Sequence, residues 1–215
     1  MTGMSKTEYL ISGTVLGLFI PFAIMIVIWW PLATLTIYRI IRIPDVTIMI
    51  CSLAGLFTGI VIDILVLKKI IPKFYEMNKL ILIITYLLCS AFAVSSFMGL
   101  PVGNLCLGFI AGLYTGRKCR HFSANPDHYS HTLKTVSHFT ALITSFEGLL
   151  TGFIMLNDKS ALLSANQFLG LQVFSAGKVN NVLIIILLCI ILYVLQFFIT
   201  KAAVTLSYQV RMKPD

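Results

Sequence analysis

The chain has 215 residues, of which 58% are hydrophobic and 11% charged, and its mean hydropathy is +0.95. Soluble domains carry about a quarter charged residues, so this composition excludes an ordinary soluble enzyme, a disordered chain and a disulfide-rich secreted module. The net charge of +8 comes from sixteen basic side chains that lie mainly between long uncharged stretches. That pattern is typical of membrane topology determinants, and we expect no nucleic-acid partner.

Charge-free stretches predict where the chain crosses a bilayer, because a transmembrane helix needs about 20 apolar residues. The first stretch follows Lys6 and is longer than the apolar core of a signal peptide. No small-residue cleavage pattern follows it, so we interpret it as an uncleaved first span. A single membrane domain, residues 1–215, is predicted, with spans at about 10–30, 46–67, 80–99, 105–116, 135–156 and 180–200.

The third and fourth spans come from one charge-free window, residues 80–116. As a single helix this window would be roughly 55 Å long, against a hydrocarbon core of about 30 Å, so the chain must turn inside it. Pro101 and its flanking glycines, Gly99 and Gly103, mark the turn. The predicted fold class is therefore an all-α integral membrane protein of about six transmembrane segments, the third and fourth forming a tight hairpin or a re-entrant pair.

The orientation follows from the distribution of basic residues. With six crossings, twelve Lys and Arg residues fall on the side of the N-terminus and four on the other side. A single crossing of residues 80–116 would leave seven and nine. Because basic loops stay in the cytoplasm, we predict a multi-pass protein of the cell membrane with both termini cytoplasmic.

Aromatic residues mark the two ends of the first span. Tyr9 lies at its inner end and Trp29-Trp30-Pro31 at its outer end, where amphipathic rings favour the headgroup region. Residues 32–43 and 160–176 are amphipathic and are predicted to lie on the outer surface. For residues 32–43, a long tilted helix is the alternative.

Eleven of the fourteen glycines fall into G-x-x-x-G pairs. This spacing places both glycines on one helix face and lets two helix backbones approach closely in lipid. We expect close packing within the chain, with a homodimer face or a deformable transporter helix as alternatives.

Three glycine pairs belong to a recurring string, A/E-G-L-x-T-G, at residues 54–59, 111–116 and 147–152. The first and third copies are 93 residues apart, and this offset superposes the two halves of the chain in opposite orientations. One interpretation is a three-plus-three inverted repeat around a midplane site. The other is chance recurrence of Gly, Leu and Thr in helices of this composition.

Glu147 is the principal candidate for chemistry. It lies thirteen residues after Lys134, roughly 20 Å along a helix, and a charge at that depth is costly unless it is paired or protonated. It shares one face of the fifth span with four hydroxyl residues, Ser137, Thr140, Thr144 and Thr151. A hydroxyl stripe at a buried carboxylate indicates a proton or cation path, and a structural glutamate that fixes helix register is the alternative.

Polar or small residues also share faces on three other spans. Asp63 follows Gly55 and Gly59 at four-residue steps, although it lies close enough to Lys68 to reach the headgroups. The sixth and fourth spans carry two further stripes: Cys189, Tyr193, Gln196 and Thr200, and Asn104, Gly108, Gly112 and Gly116. A helix that starts after Pro101 would direct its positive N-terminal end towards an anionic ligand group. We predict solute or ion binding by Glu147, Asp63, Thr144, Thr151, Asn104, Tyr193 and Gln196.

The inner loop predicted at residues 117–134 contains metal-binding residue types. Its weak candidate ligands are Cys119, His121, His128 and His131. Their spacing matches no standard zinc motif, so we interpret the loop as a solvated basic segment and expect no cofactor.

The sequence has no P-loop, G-x-S-x-G or H-E-x-x-H motif. We therefore expect a transporter or channel-like protein that moves a small solute or ion across the lipid bilayer, coupled to protonation of Glu147. The alternatives are a non-transporting accessory or substrate-binding subunit, which would dock partner helices on its glycine faces, and a small intramembrane enzyme that uses the His/Cys loop.

Overall fold

The computed structural model describes residues 6–96, 101–156 and 178–210, together with Leu163 and Gln167. These residues form helices and no strands. In chain order the elements are α1 (Lys6–Ile37), α2 (Asp45–Ile70), a 3-10 helix (Ile71–Glu76), α3 (Lys79–Ser96), α4 (Val102–His121), α5 (Pro126–Met155) and α6 (Lys178–Gln209). The all-α prediction is confirmed for this part of the chain.

Four helices in the described ranges are long and apolar enough to cross a membrane. They are Ile20–Ile37 of α1, Asp45–Leu67 of α2, Pro126–Met155 of α5 and Asn180–Gln209 of α6. This agrees with a multi-pass membrane protein. α3 is a shorter apolar helix, so the predictions of six crossings, of a hairpin at residues 80–116 and of an inverted repeat stay predictions.

The helices group into two compact units, one within residues 2–77 and one within residues 78–211. The first, which we call the two-helix unit, contains α1, α2 and the 3-10 helix. The second, the four-helix unit, contains α3 to α6.

In the two-helix unit, α1 and α2 pack along each other through two glycines of α2. A Cβ atom added at Gly59 would overlap the backbone of Pro21, and one added at Gly55 would lie 2.8 Å from Ile28 Cδ1. The absence of a side chain at these two positions therefore lets the backbones approach closely.

α1 is longer than the predicted first span. It continues through Pro31 to Ile37, which agrees with the long-helix alternative for the first half of residues 32–43, and the placement of this segment on the outer surface stays a prediction. The helix ends with Arg39 at φ 56°, whose N–H donates to Thr36 O, while the N–H of Ile40 donates to Leu35 O. This pair of bonds is a Schellman ending. The other predicted surface segment, residues 160–176, lies outside the described residues except for Leu163 and Gln167.

In the four-helix unit, α6 packs against both α4 and α5, and α3 contacts α4 and α5. Three α4 glycines face α6: a Cβ at Gly108 would overlap the Gln196 amide, one at Gly116 would overlap Ser207, and one at Gly112 would lie 2.7 Å from Thr200 O. The backbones of α4 and α6 are therefore closely apposed.

The predicted inner loop at residues 117–134 is mostly helical, which corrects the sequence analysis. α4 extends to His121 and α5 begins at Pro126, so the connection is only residues 122–125. A second Schellman ending closes α4, with Ser123 at φ 48°. Pro126 occupies the first turn of α5, where its missing N–H costs no hydrogen bond.

Four basic residues gather at one end of the four-helix unit: Lys79, Arg117, Lys118 and Arg120. Arg117 Nη1 donates to Val210 O at 2.7 Å, and Arg120 Nη1 donates to Tyr208 O. These carbonyl groups lie at the C-terminus of α6, where backbone acceptors have no partner within the helix, so the two arginines satisfy them. We call this group the basic end.

Candidate functional site

Three helices of the four-helix unit bring a carboxylate, an amide and a hydroxyl together. Ser90 Oγ of α3 donates to Glu147 Oε2 of α5 at 2.7 Å. Asn104 Nδ2 of α4 donates to Ser90 Oγ at 2.8 Å and also to Glu147 Oε2. Ser90 and Asn104 are fully buried, and Glu147 is half-buried. We call these three residues the carboxylate site.

The N-terminus of α4 lies beside this site. Asn104 is in the first turn of α4, and Pro101, the N-cap residue, would lie 3.5 Å from a Cβ atom on Gly148 of α5. A helix N-terminus carries partial positive charge, which stabilises a nearby anion. The anionic group beside the α4 N-terminus is therefore the chain's own Glu147, whereas the sequence analysis predicted an anionic ligand there.

Two more groups adjoin the carboxylate site. The Tyr86 hydroxyl of α3 is buried, approaches the side chain of Thr144 and lies within electrostatic range of Glu147. Thr144 Oγ1 donates to Thr140 O at 3.0 Å. On the other side, Asn104 Oδ1 is buried and has no hydrogen-bond partner. The site thus contains a polar acceptor that the protein leaves unsatisfied.

A second polar cluster, which we call the amide–threonine cluster, connects α5 and α6. The hydroxyls of Thr140 and Thr200 bond at 2.9 Å, and Gln196 Nε2 donates to Thr200 Oγ1 at 3.1 Å. All three side chains are fully buried. Gln196 Oε1 and the nearby Ser137 Oγ have no partner.

The predicted hydroxyl stripe of α5 faces the interior of the unit. Ser137, Thr140 and Thr144 are fully buried, and Glu147 follows them on the same side. From Ser137 to Glu147 the stripe covers about 15 Å at 1.5 Å per residue. Thr151, one turn further, is half-buried.

Tyr193 and His138 form a pair of their own. The Tyr193 hydroxyl lies 2.6 Å from His138 Nδ1, and the His138 ring packs on Phe197 at a centroid distance of 4.9 Å. The other residues of the predicted α6 stripe, Cys189, Gln196 and Thr200, are buried. Tyr193 therefore bonds to His138, which is not a member of the amide–threonine cluster.

Asp63 lies in the two-helix unit. Its side chain is 5% exposed, and its Oδ1 atom has no hydrogen-bond partner. Its Oδ2 atom would lie 3.9 Å from a Cβ atom on Gly17 of α1. Asp63 is thus a buried acid on the face that packs against α1, as its spacing from the α2 glycines predicts.

The weak metal candidates are not gathered into a site. No group of three or more His, Cys, Asp or Glu side chains that could hold a metal occurs among the described residues. His128 and His131 are exposed on the first turns of α5, and the His121 ring packs edge-on against Phe122. Burial raises the pKa of the buried Cys119 thiol, which disfavours the thiolate that a metal would require.

The positive charge of Lys118 is unfavourable at the basic end. Burial, and then the nearby charge of Lys79, lower the pKa of the Lys118 ammonium. The Lys118 ammonium lies 5.8 Å from the centroid of the Tyr114 ring, where the aromatic face offsets part of that cost.

Sequence reasoning missed Ser90 and Tyr86 of α3. They lie four residues apart in a largely apolar helix, so they share a face, and that spacing is the available signal. Apolar residues occur on every face of α3, so the sequence does not indicate which face packs inside the protein.

Chemically, the carboxylate site can bind a proton or a cation, because it combines one carboxylate with neutral oxygen atoms and an unsatisfied acceptor. Ser90 and Asn104 direct two donors at the ionised form of Glu147, and the amide–threonine cluster extends the polar groups along α5. No protein-family model, curated protein or solved structure matches the chain.

Proposed function

We propose that the chain is a multi-pass membrane protein that transports a small solute or ion, and that Glu147 binds and releases a proton during transport. The observation that carries this proposal is the carboxylate site itself. A single acidic side chain accepts hydrogen bonds from two other helices, and both donors, Ser90 and Asn104, are fully buried. Ionisable groups at such positions in membrane proteins mark ion and proton pathways.

Protonation of Glu147 would change how α3, α4 and α5 are held together. The ionised carboxylate accepts from Ser90 and Asn104. The protonated form carries an O–H donor, for which the unsatisfied Asn104 Oδ1 is an acceptor after rotation of the amide. Two hydrogen-bond arrangements of the same residues therefore correspond to two protonation states, which is what a proton-coupled conformational change requires.

The amide–threonine cluster supplies a route for the proton. Hydroxyl groups both donate and accept, and the Thr140 and Thr200 hydroxyls bond directly. Thr144 Oγ1 donates to the backbone oxygen of Thr140, so the step between the Thr144 and Thr140 hydroxyls requires a bridging water. This chain extends from the carboxylate site along α5 in the direction of its N-terminus.

The topology proposal places the basic end in the cytoplasm. Its four basic residues lie at the N-terminus of α3 and the C-terminus of α4, in agreement with six crossings, a paired third and fourth span and cytoplasmic termini in a cell membrane. The positions of Gly112 and Gly59 support close helix packing in the bilayer. Because α6 and α1 fill these glycine faces, the contacts favour a transporter over an accessory subunit that docks partner helices there.

The experiment is proton flux into proteoliposomes that contain a pH-sensitive dye. Wild-type protein is compared with Glu147→Gln and with Glu76→Gln, a matched control that neutralises an exposed acid of the 3-10 helix. Sodium, potassium, ammonium, small organic acids and amines are added in turn.

We expect at least one addition to drive proton movement in the wild type and in Glu76→Gln but not in Glu147→Gln. Full flux in Glu147→Gln would overturn the role of Glu147. No flux with any addition, together with stable co-purification of another membrane protein, would overturn transport in favour of an accessory subunit.

A further inference from the structure

The donors and acceptors of the carboxylate site are not balanced. The donors of Ser90 and Asn104 are already directed at Glu147 Oε2. Two amide oxygens, Asn104 Oδ1 and Gln196 Oε1, are buried without a donor, and both residues are fully buried. The Tyr86 and Ser137 hydroxyls also lack a partner, but neither donates to these amide oxygens. Since unsatisfied buried acceptors are costly, the two oxygens indicate a ligand that supplies positive charge or hydrogen-bond donors.

The single negative charge of Glu147 indicates the charge that a cation bound at the site should carry. The interactions of Glu147 with other described residues involve a hydroxyl, an amide and the phenol of Tyr86, and no basic side chain. One carboxylate balances one positive charge, whereas divalent cations in proteins are bound by several charged oxygens. An uncompensated charge is costly in an apolar medium, so the balance favours a monovalent cation.

The side chains that carry the two free amide oxygens lie along one face of α4. Asn104 and Gly108 are four residues apart, so they lie one above the other on that helix. The Gln196 amide packs directly against Gly108, where a Cβ atom would overlap it. The Gln196 amide therefore lies about one helical turn, roughly 5.4 Å, from the level of Asn104. Oxygen atoms of this kind are ligands of hard cations.

We infer that the carboxylate site binds a monovalent alkali cation, with Na⁺ as the probe ion, through the carboxylate of Glu147 and the amide oxygen of Asn104. The Gln196 amide, whose Oε1 is also unpartnered, lies about one helical turn further along α4. This inference rests on the proposed function, because it concerns the same carboxylate, and it names the ion that exchanges with the proton there. Cation release and proton uptake then alternate at Glu147 with no change in the net charge of the site.

The test is the thermal midpoint of the purified full-length protein in detergent. Sodium chloride replaces choline chloride at constant ionic strength and at an alkaline pH that keeps carboxyl groups ionised. A ligand that binds only the folded state raises the midpoint, by about 3–6 °C when its concentration is roughly ten times its Kd. We expect this rise in the wild type and in the control variant Glu76→Gln, and its loss in Glu147→Gln.

A second variant keeps the test informative if Glu147→Gln does not fold. Asn104→Ser retains a hydroxyl donor for Glu147 but removes the amide oxygen, so we expect its apparent sodium affinity to fall roughly tenfold or more. Its folding is checked by size-exclusion chromatography.

Two outcomes would overturn the inference. A midpoint that responds to pH but equally to sodium and choline would leave proton binding by Glu147 standing and exclude the cation. An equal sodium shift in wild type, Glu147→Gln and Asn104→Ser would place sodium elsewhere. Conversely, a sodium shift that Glu147→Gln abolishes, combined with no flux in proteoliposomes, would support the binding site while contradicting transport.

Discussion

The two-helix unit and the four-helix unit are packed by the same device but differ in what their interiors contain. In each, a helix with glycines at four-residue spacing meets a neighbour at backbone distance: Gly59 meets Pro21 in one, and Gly112 meets Thr200 in the other. Among the described residues of the α1–α2 interface, Asp63 is a buried acid. Close packing and polar chemistry are therefore separate properties of this protein.

In the four-helix unit, by contrast, buried polar side chains from all four helices form hydrogen-bonded clusters. Each of the helices α3, α4, α5 and α6 contributes a residue, in that order Ser90, Asn104, Thr140 and Gln196. Polar interhelical bonds in membrane proteins contribute only about 0.6–2 kcal/mol each. A polar interior that leaves two amide oxygens unsatisfied is therefore poorly explained by stability alone.

The largest expected effect comes from the glycines at the two backbone contacts. Gly112→Ala places a Cβ atom 2.7 Å from Thr200 O and from Ala203 Cβ, and Gly59→Ala places one against the backbone of Pro21. Because backbone atoms cannot rotate away, each substitution should cost roughly 1–3 kcal/mol of unfolding free energy. The thermal midpoint in detergent measures the loss.

The controls for this prediction come from the same two units. A Cβ atom at Gly148 would lie 3.3 Å from Leu192 Cδ1, and one at Gly17 would lie 3.5 Å from Leu67 Cδ1. Both contacts involve side-chain ends that can move, so Gly148→Ala and Gly17→Ala should leave the midpoint nearly unchanged. Equal effects of all four substitutions would contradict the close-contact explanation.

The second effect contrasts the two buried acids. Glu147→Leu removes the acceptor of Ser90 and Asn104, and leaving a buried donor unsatisfied costs about 1–3 kcal/mol. Asp63→Asn removes a charge whose Oδ1 atom has no hydrogen-bond partner, so the protein should be equally stable or slightly more stable. Chemical unfolding of both variants tests the contrast, and a larger loss in Asp63→Asn than in Glu147→Leu would reverse it.

The sequence predicts that Glu147 is buried but does not predict its hydrogen-bond partners. The position of Glu147 far from charged residues indicated a buried carboxylate, and the α5 hydroxyl stripe is internal as its spacing predicts. The partners Ser90 and Asn104 depend on how α3 and α4 align with α5, and that register is not encoded in the periodicity of any one helix. The internal face of α5 can therefore be derived from the sequence of α5 alone. The carboxylate site cannot, because it depends on how three helices pack together.

The ends of the helices are also only partly predicted by the sequence. Asn125-Pro126 is a recognisable start signal for α5, but the many charged residues in 117–134 favour a loop when the sequence is considered alone. The Schellman endings at Arg39 and Ser123 occur without glycine, so no sequence signal marked them. Arg117 and Arg120, whose charges the sequence assigns to membrane topology, also donate hydrogen bonds to carbonyls at the end of α6.

A moderate effect is expected at that end of α6. Arg117→Met removes the donor to Val210 O and Ser207 O, so the last turn of α6 should fray at a cost of about 1 kcal/mol. Faster hydrogen exchange at the C-terminus of α6 is the measurement. Lys201→Met, which neutralises an exposed residue of the same helix, is the control and should leave exchange unchanged.

The smallest effect is electrostatic and depends on pH. Because the folded-state pKa of Lys118 is lowered, the unfolded chain holds its proton more tightly, and stability rises with pH in the alkaline window below the ordinary lysine pKa. Lys79→Gln removes the second cause of that shift, so this rise should become smaller. Thermal midpoints across the alkaline range test it, and an unchanged slope would show that Lys79 does not act on Lys118.

The most direct test of the central claim, that Glu147 exchanges a proton or cation and is not a fixed structural group, is infrared difference spectroscopy of the protein in lipid. Spectra are recorded between acidic and alkaline pH, with sodium and with choline, for the wild type, Glu147→Gln and Asp63→Asn. We predict a protonated-carboxyl band that appears at acidic pH, moves to more acidic pH when sodium is present, disappears in Glu147→Gln and persists in Asp63→Asn. A wild-type spectrum with no carboxyl band that Glu147→Gln removes would contradict the claim and make Glu147 a structural residue.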